Sequence, residues 1–112
     1  MQPFDVVLTP FPFVDRPEEK LRPAVVVSTP DLLAAADVLW MVMVTSTQSD
    51  RIEGDVSVSD LKGSGLQRPC RVRTSKMFAL HRSRIVRRLG QLGEVDARAV
   101  ARAASNWLAP AP

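Results

Sequence analysis

Hydrophobic positions fall in short runs, separated by polar or proline-containing stretches, until the last segment, where their period changes. Phe4-Asp5-Val6-Val7-Leu8-Thr9 is β-prone and ends at Pro10, which predicts a first strand. Pro10, Pro12 and Pro17 bracket a stretch running through Arg22. Proline has no N–H to give a ladder, so this stretch is not a central strand. Pro23 to Ser28 predicts a second strand, with proline at its tolerated first position. Pro30 to Ala36 fits one helical turn or a loop. Val38 to Thr45 is almost continuously apolar, the pattern of a strand buried on both faces. The polar run Thr45-Ser46-Thr47-Gln48-Ser49-Asp50 ends it. Asp55 to Ser59 alternates and predicts a half-buried strand. Lys62-Gly63-Ser64-Gly65 reads as a flexible loop. Cys70 to Thr74 and Arg84 to Leu89 are further strands, with arginine on the alternate face.

The period then shifts to that of a helix. Val95, Ala99, Val100, Ala103, Trp107 and Leu108 recur at helical spacing and predict a helix over Glu94 to Leu108. Glu94 and Asp96 lie in its first turn, where negative charge suits the helix dipole. At the helical rise its length is about 22 Å. Trp107 is expected to pack this helix on the sheet. Short strands followed by one terminal helix predict a mainly β fold, a small curved barrel. At 112 residues the chain fits one domain, residues 1–112, without internal repeats.

Composition removes several function classes. One cysteine, Cys70, allows no intrachain disulfide and no cysteine-based zinc cluster. One histidine, His81, rules out a multi-histidine metal site. No apolar run approaches the ~18 residues of a membrane helix. The start of the chain lacks the basic and apolar segments of a secretory signal, so the expected compartment is the cytoplasm. A lone thiol stays reduced there.

Charge divides the chain. The net charge of +3 is the sum of −6 over residues 1–61 and +9 over residues 62–112. Twelve of the fifteen basic residues are arginine, whose planar fork suits phosphate oxygens. The basic half therefore suggests a polyanionic partner.

No phosphate loop, dinucleotide fingerprint or serine nucleophile elbow is present. His81 lies in the polar stretch Leu80-His81-Arg82-Ser83 and reads as a solvated turn residue rather than a base. Cys70 reads as an inert packing thiol. Two junctions have more chemical interest. Arg22 opens the second strand and Thr45 closes the long apolar one. In a small barrel, strand ends can meet at one rim. Arginine stabilises charge developing on a phosphate, and a threonine hydroxyl can donate to or accept from it. Without an activated protein nucleophile, phosphodiester cleavage would draw on the 2′-OH of RNA. On spacing alone, a surface arginine and a β-prone threonine explain the pair as well.

The ordered set of motifs resembles the MazF/PemK family of toxin endoribonucleases. Asp5-Val6-Val7-Leu8-Thr9-Pro10-Phe11-Pro12-Phe13 is similar to the opening strand and loop of its PemK-like branch. Leu21-Arg22-Pro23-Ala24-Val25-Val26-Val27-Ser28 is similar to its Arg-Pro strand, and Val42-Met43-Val44-Thr45-Ser46 to its strand ending in Thr-Ser. Gly54-Asp55-Val56, Val72-Arg73, Lys76-Met77-Phe78 and Ile85-Val86-Arg87-Arg88-Leu89-Gly90 follow in family order. The likeness covers roughly residues 4–108.

The resemblance implies an SH3-like β-barrel of the CcdB/MazF kind, forming a homodimer. It implies sequence-specific, metal-independent cleavage of single-stranded RNA, leaving a 2′,3′-cyclic phosphate and a 5′-OH, with no cofactor. The family's catalytic pair falls on Arg22 and Thr45. RNA contacts fall on Phe13, Arg16 and Lys20 of the proline-bracketed loop, on Ser46 and Gln48, and on Arg73 and Lys76. A cognate antitoxin with an acidic, partly disordered segment is implied as partner, folding as it binds. DNA is implied only as a partner of the toxin–antitoxin complex, and no membrane is involved. The chain departs from the family at three places. Phe4 stands where glycine is usual before the first-strand aspartate. Thr47 lengthens the usual Thr-Ser-Gln. Ser75 replaces the usual aspartate before Lys76. The alternatives are a non-enzymatic toxin that binds DNA gyrase, as in the CcdB branch, and an inactive nucleic-acid-binding relative. Fold does not choose among them.

Overall fold

A computed structural model describes residues 1–10 and 20–112. Among these, six strands form one antiparallel sheet: β1 Asp5–Pro10, β2 Leu21–Val26, β3 Val38–Ser46, β4 Asp55–Ser57, β5 Cys70–His81 and β6 Arg87–Gln91. Their order across the sheet is β4-β5-β3-β2-β1-β6. The helices are α1 Pro30–Ala36, α2 Leu61–Ser64 and α3 Glu94–Ser105. None of the described helices is long and apolar enough to cross a membrane.

The alternation of side chains explains the architecture. Val6, Val25, Val42 and Val72 turn to one face and form a core closed by Val100 of α3. Val56 of β4 and Leu89 of β6 pack on the same cluster, so all six strands contribute to one interior. This is the expected SH3-like barrel with its terminal helix. The opposite face carries Val7, Ala24, Val26, Leu39, Met41 and Met43, with Leu33 of α1 packed against them. β3 is thus buried on both sides along Met41–Val44, as its apolar run predicts. Each fully buried valine or methionine is worth roughly 1.5–3 kcal/mol over the exposed state. A one-residue slip of β3 would exchange Trp40, which is exposed, with Met41, which is not, so burial fixes the register.

Several elements differ from the sequence reading, each for a local reason. The stretch Lys62 to Gly65 is a helical turn rather than a loop. Asp60 Oδ1 accepts the Gly63 N–H at 2.9 Å, and Gly65 closes the turn at φ 71°. β5 runs on to His81 because a bulge absorbs its polar centre. Pairing with β3 jumps from Met43↔Arg73 to Val42↔Met77, leaving Thr74, Ser75 and Lys76 out of register. Bulges of this kind re-aim side chains. His81 therefore ends a strand instead of lying in an open turn. Arg84 to Leu89 divides into a 3-10 turn at Arg82–Arg84 and β6. β4 stops at Ser57, although the Val58 N–H still donates to the Cys70 carbonyl at 3.0 Å.

α3 is shorter than expected, and its buried stripe is rotated. Asp96, Val100 and Ala104 face inward, while Val95 is 78% exposed. The rotation follows from Asp96, whose carboxylate accepts the Ser59 N–H at 2.8 Å and the Ser59 hydroxyl at 2.9 Å. Trp107 lies beyond the helix and docks by its edge. Its Nε1–H donates to Thr74 Oγ1 at 2.9 Å, and the ring lies over Gly54. Gly54 has φ 87°, and a Cβ there would sit 2.7 Å from the indole. The backbone at Phe4 takes a conformation that favours glycine. Phe4, in the glycine position, has φ 67°. A non-glycine residue is strained there by roughly 1–2 kcal/mol. Its N–H donates to the Val26 carbonyl at 2.7 Å, its carbonyl accepts from the Leu92 N–H at 3.0 Å, and its ring packs on the barrel core.

Candidate active site

Strand pairing brings the two junction residues together. β2 and β3 pair through Ala24↔Met43. The ladder between them ends there, and Arg22 and Thr45 each lie two residues beyond that pair within their strands, on its face of the sheet. Opposite residues of an antiparallel pair project from the same face. Both line a cleft of about 430 Å³ at the end of the barrel. Ser46, Gln48, Arg73 and Lys76 line it too. Six of the nine residues singled out in the sequence thus share one cavity. Lys20 is exposed ahead of β2 and does not line the cleft, and Phe13 and Arg16 lie outside the described residues.

The charge of the cleft is one-sided. Among the described lining residues, Arg22, Arg68, Arg73 and Lys76 are cationic and none is acidic. Lys76 owes its place to the β5 bulge. Arg68 was missed by the sequence reading. It lies among Gln67, Arg68 and Pro69, outside any strand or family motif, and only the general basicity of the second half pointed to it.

Arg73 is held differently from the other cations. β4 and β5 pair Asp55 directly with Arg73. The guanidinium grips the carboxylate with two hydrogen bonds, Nε to Oδ1 at 3.2 Å and Nη2 to Oδ2 at 2.9 Å. Nη2 also donates to the Asp50 carbonyl at 2.7 Å. The side chains are 13% and 1% exposed. Burial alone would raise the Asp55 carboxyl. The hydrogen bonds from Arg73 and the Ile52 N–H, with the charges of Arg73 and Arg71, outweigh it and hold the carboxyl below its ordinary value. The Asp55 hydrogen bond in turn raises Arg73 against the effect of its own desolvation. Arg73 therefore reaches the cleft wall as part of a neutral, buried pair, unlike the solvent-exposed Arg22.

The segment after Thr45 folds back over it. The Ser49 N–H donates to the Ser46 carbonyl at 3.1 Å, and the Gln48 N–H to Ser46 Oγ at 3.1 Å. This turn returns Ser49 to Thr45, whose hydroxyl donates to Ser49 Oγ at 3.2 Å. Neither Ser49 nor Arg71, which binds the Ser49 carbonyl, was singled out in the sequence. A serine in a polar run carries no periodic signal.

The remaining candidates have quieter roles. Cys70 lines the cleft, but burial pushes its thiol up, and Sγ donates to the Arg68 carbonyl at 3.0 Å. That suits an inert thiol. His81 Nδ1 accepts the Ser83 N–H at 3.2 Å and lies 2.9 Å from the Ser83 hydroxyl. It caps the 3-10 turn. Among the described residues, no three His, Cys, Asp or Glu side chains group as metal ligands.

Comparison with known proteins bears on the fold and the family. A family model described as PemK-like, MazF-like toxin of type II toxin–antitoxin system matches residues 2–108. The chain is similar in structure to the Mycobacterium tuberculosis toxin MazF-mt6, with a TM-score of 0.71 and 18% identity over 91% of this chain and 93% of that one. It is similar to a chain of the MazE-MazF crystal structure (form III) from Deinococcus radiodurans, at TM-score 0.74 and 17% identity over 95% and 94% of the two chains. It also resembles an endoribonuclease from a mycobacterial species solved in complex with its cognate antitoxin, at TM-score 0.73 and 12% identity over 98% and 99%. At such identities the likeness is one of fold. No curated protein sequence matches. The family match extends over nearly the whole chain and takes in the barrel and the terminal helix: the chain belongs to the PemK-like, MazF-like family of toxins of type II toxin–antitoxin systems.

Proposed function

We propose that this toxin is a sequence-specific endoribonuclease that cleaves single-stranded RNA through its own 2′-OH and needs no metal, and that it blocks translation and growth by doing so. The observation that supports the reading is that Arg22 and Thr45 line one cleft whose described charged residues are all cationic. In the reaction, the 2′-oxygen of one nucleotide attacks the adjacent phosphorus and loses its proton. The bond from phosphorus to the 5′-oxygen breaks, and that oxygen takes up a proton. The products are a 2′,3′-cyclic phosphate and a 5′-OH. Negative charge grows on the non-bridging oxygens as the five-coordinate state forms. A guanidinium offers those oxygens two parallel N–H donors and stabilises the transition state more than the ground state. Arg22 is given that role. The Thr45 hydroxyl assists proton transfer at the same phosphate. Lys76 and Arg68 hold neighbouring phosphates, and Ser46 and Gln48 contact the bases. Such a site spares DNA, which has no 2′-OH.

The cationic cleft also suits an acidic antitoxin segment competing with RNA for the same surface. The similar MazE-MazF and endoribonuclease–antitoxin complexes support that partner. The working unit is taken to be a homodimer in the cytoplasm.

The test is to incubate the purified protein with pooled single-stranded RNA in EDTA and sequence the new ends. Defined cuts carrying cyclic phosphates, lost in Arg22→Ala, are expected. A folded protein that leaves RNA intact would shift the reading to a non-enzymatic toxin, and DNA supercoiling by gyrase would be the next assay.

A further inference from the structure

The turn beyond Thr45 is stapled to β5 by two arginines. Arg71 stands directly opposite Thr45 in the β3–β5 pairing, and its Nη1 donates to the Ser49 carbonyl at 2.8 Å. Arg73, two residues on, donates to the next carbonyl, that of Asp50, at 2.7 Å. The turn is closed from below by the Thr47 N–H, which donates to the Pro69 carbonyl at 3.3 Å. Consecutive carbonyls held by fixed guanidinium groups leave Ser49 little freedom. Its hydroxyl lies 3.2 Å from that of Thr45, and the two share a hydrogen bond. A hydroxyl has one hydrogen and two lone pairs. The bond to Ser49 uses one of the Thr45 hydroxyl's sites and leaves the others to the cleft. The Thr47 insertion lies in the turn that carries Ser49 back, and so bears on this arrangement.

We infer that Ser49 and Arg71 are positioning residues for the ribonuclease reaction: Arg71 fixes the turn, and Ser49, hydrogen-bonded to the Thr45 hydroxyl, orients it in the cleft. The inference rests on the nuclease reading above. It also reassigns Arg73. That residue serves this turn through its pairing with Asp55, and phosphate contact falls to Arg22, Arg68 and Lys76.

The test uses the full chain and an oligoribonucleotide containing the cut site found in pooled RNA. Ser49→Ala is expected to lower kcat tenfold or more with KM within twofold of wild type and an unchanged melting temperature. Ser49→Thr, which restores a hydroxyl, is expected to recover most of the rate. Arg71→Ala is expected to lower kcat similarly and to speed amide exchange through residues 47–51 alone. Cleavage that is abolished in Thr45→Ala yet within twofold of wild type in both Ser49→Ala and Arg71→Ala would overturn the positioning role and leave the nuclease reading intact. A kcat loss that Ser49→Thr fails to recover would overturn the hydroxyl's role. If the wild-type protein does not cut RNA, the nuclease reading and the orientation of Thr45 for catalysis both fall. Exchange through residues 47–51 unchanged in Arg71→Ala would overturn the staple as well.

Discussion

Two rows of residues, one step apart along the same strands, cross the sheet and end in opposite states. The inner row runs Ala24, Met43, Arg73, Asp55. The outer row runs Thr45, Arg71, Ser57, with Arg22 two residues before Ala24 on the neighbouring β2. Both contain arginine. In the inner row the arginine faces a carboxylate directly across the strand pair and is sealed with it. In the outer row, Ser57 stands where the carboxylate would be, and Arg71 instead binds the carbonyl of a turn. One exchange, Asp for Ser at the β4 position, separates an arginine sealed by a carboxylate from one that holds a backbone carbonyl. Arginine count and pI do not distinguish the two, whereas the residue across the ladder does.

Removing Arg22 should have the largest effect, and on rate alone. Arg22→Ala is expected to lower cleavage at least a thousandfold, about 4 kcal/mol at the barrier by the relation of rate to activation energy. Its melting temperature should stay near that of wild type, because Arg22 is exposed. Single-turnover cleavage and thermal melting of one preparation check both. Retained cleavage would show that the two rows do not differ in chemistry.

The inner arginine should act on stability. Arg73→Ala leaves Asp55 buried without its partner, which costs about 3 kcal/mol, at the lower end for broken buried pairs because the Ile52 N–H remains. The sign of the pH dependence follows from Asp55. Its carboxyl is held below the ordinary value in the fold, so the pair stabilises at any pH above the unfolded value near 4 and is lost as pH falls through the lower, folded value. The stability gap between wild type and Arg73→Ala should therefore be full at pH 7 and shrink below pH 4. Urea unfolding at the two pH values measures it. A gap that persists in acid would show that Arg73 acts by packing.

A smaller effect is expected where the rows meet the terminal helix. Trp107→Phe removes the N–H bonded to Thr74, at the start of the bulge that places Lys76. A neutral hydrogen bond of this kind is worth about 1 kcal/mol. Thr74 also donates to the Gly54 carbonyl at 2.8 Å, so the bulge keeps one anchor and cleavage should change less than threefold. Urea unfolding and cleavage rates decide it, and a tenfold rate loss would make Trp107 part of the outer row's support.

Much of this was legible in the chain where one strand determines its own fate. The continuous apolar run Val38 to Thr45 told of double burial, because alternation puts Met41 and Met43 on one face and Val42 and Val44 on the other. Arg22 and Thr45 were legible as strand ends, and the family resemblance singled them out. What was not legible depends on pairing between distant segments. The Arg73–Asp55 grip needs the β4–β5 register, which neither strand states by itself. The bulge at Thr74–Lys76 made one long strand look like a short one. Asp96 disguised the buried stripe of α3, since a carboxylate facing inward is read as solvent-facing until Ser59 is known to meet it. Ser49 had no signal at all, because its role is created by a turn.

The smallest expected effect tests whether the chemistry stays within the outer row. His81 is the only histidine, and a histidine is the usual general base near neutral pH. Its place argues against that role here. Val38↔His81 puts it at the far end of the β3–β5 pairing from Thr45↔Arg71, and it does not line the cleft. Its Nδ1 accepts the Ser83 N–H, which holds the ring against the 3-10 turn. His81→Ala should leave the cleavage rate within twofold of wild type and the pH–rate profile unchanged in shape between pH 5 and 8. A hundredfold loss, or the disappearance of a limb of that profile, would place the base outside the row and require the barrel to bring a second surface to the RNA. A rate that follows Arg22 and Thr45 while ignoring His81 would instead mean that the cleft ends of β2 and β3 carry the reacting groups.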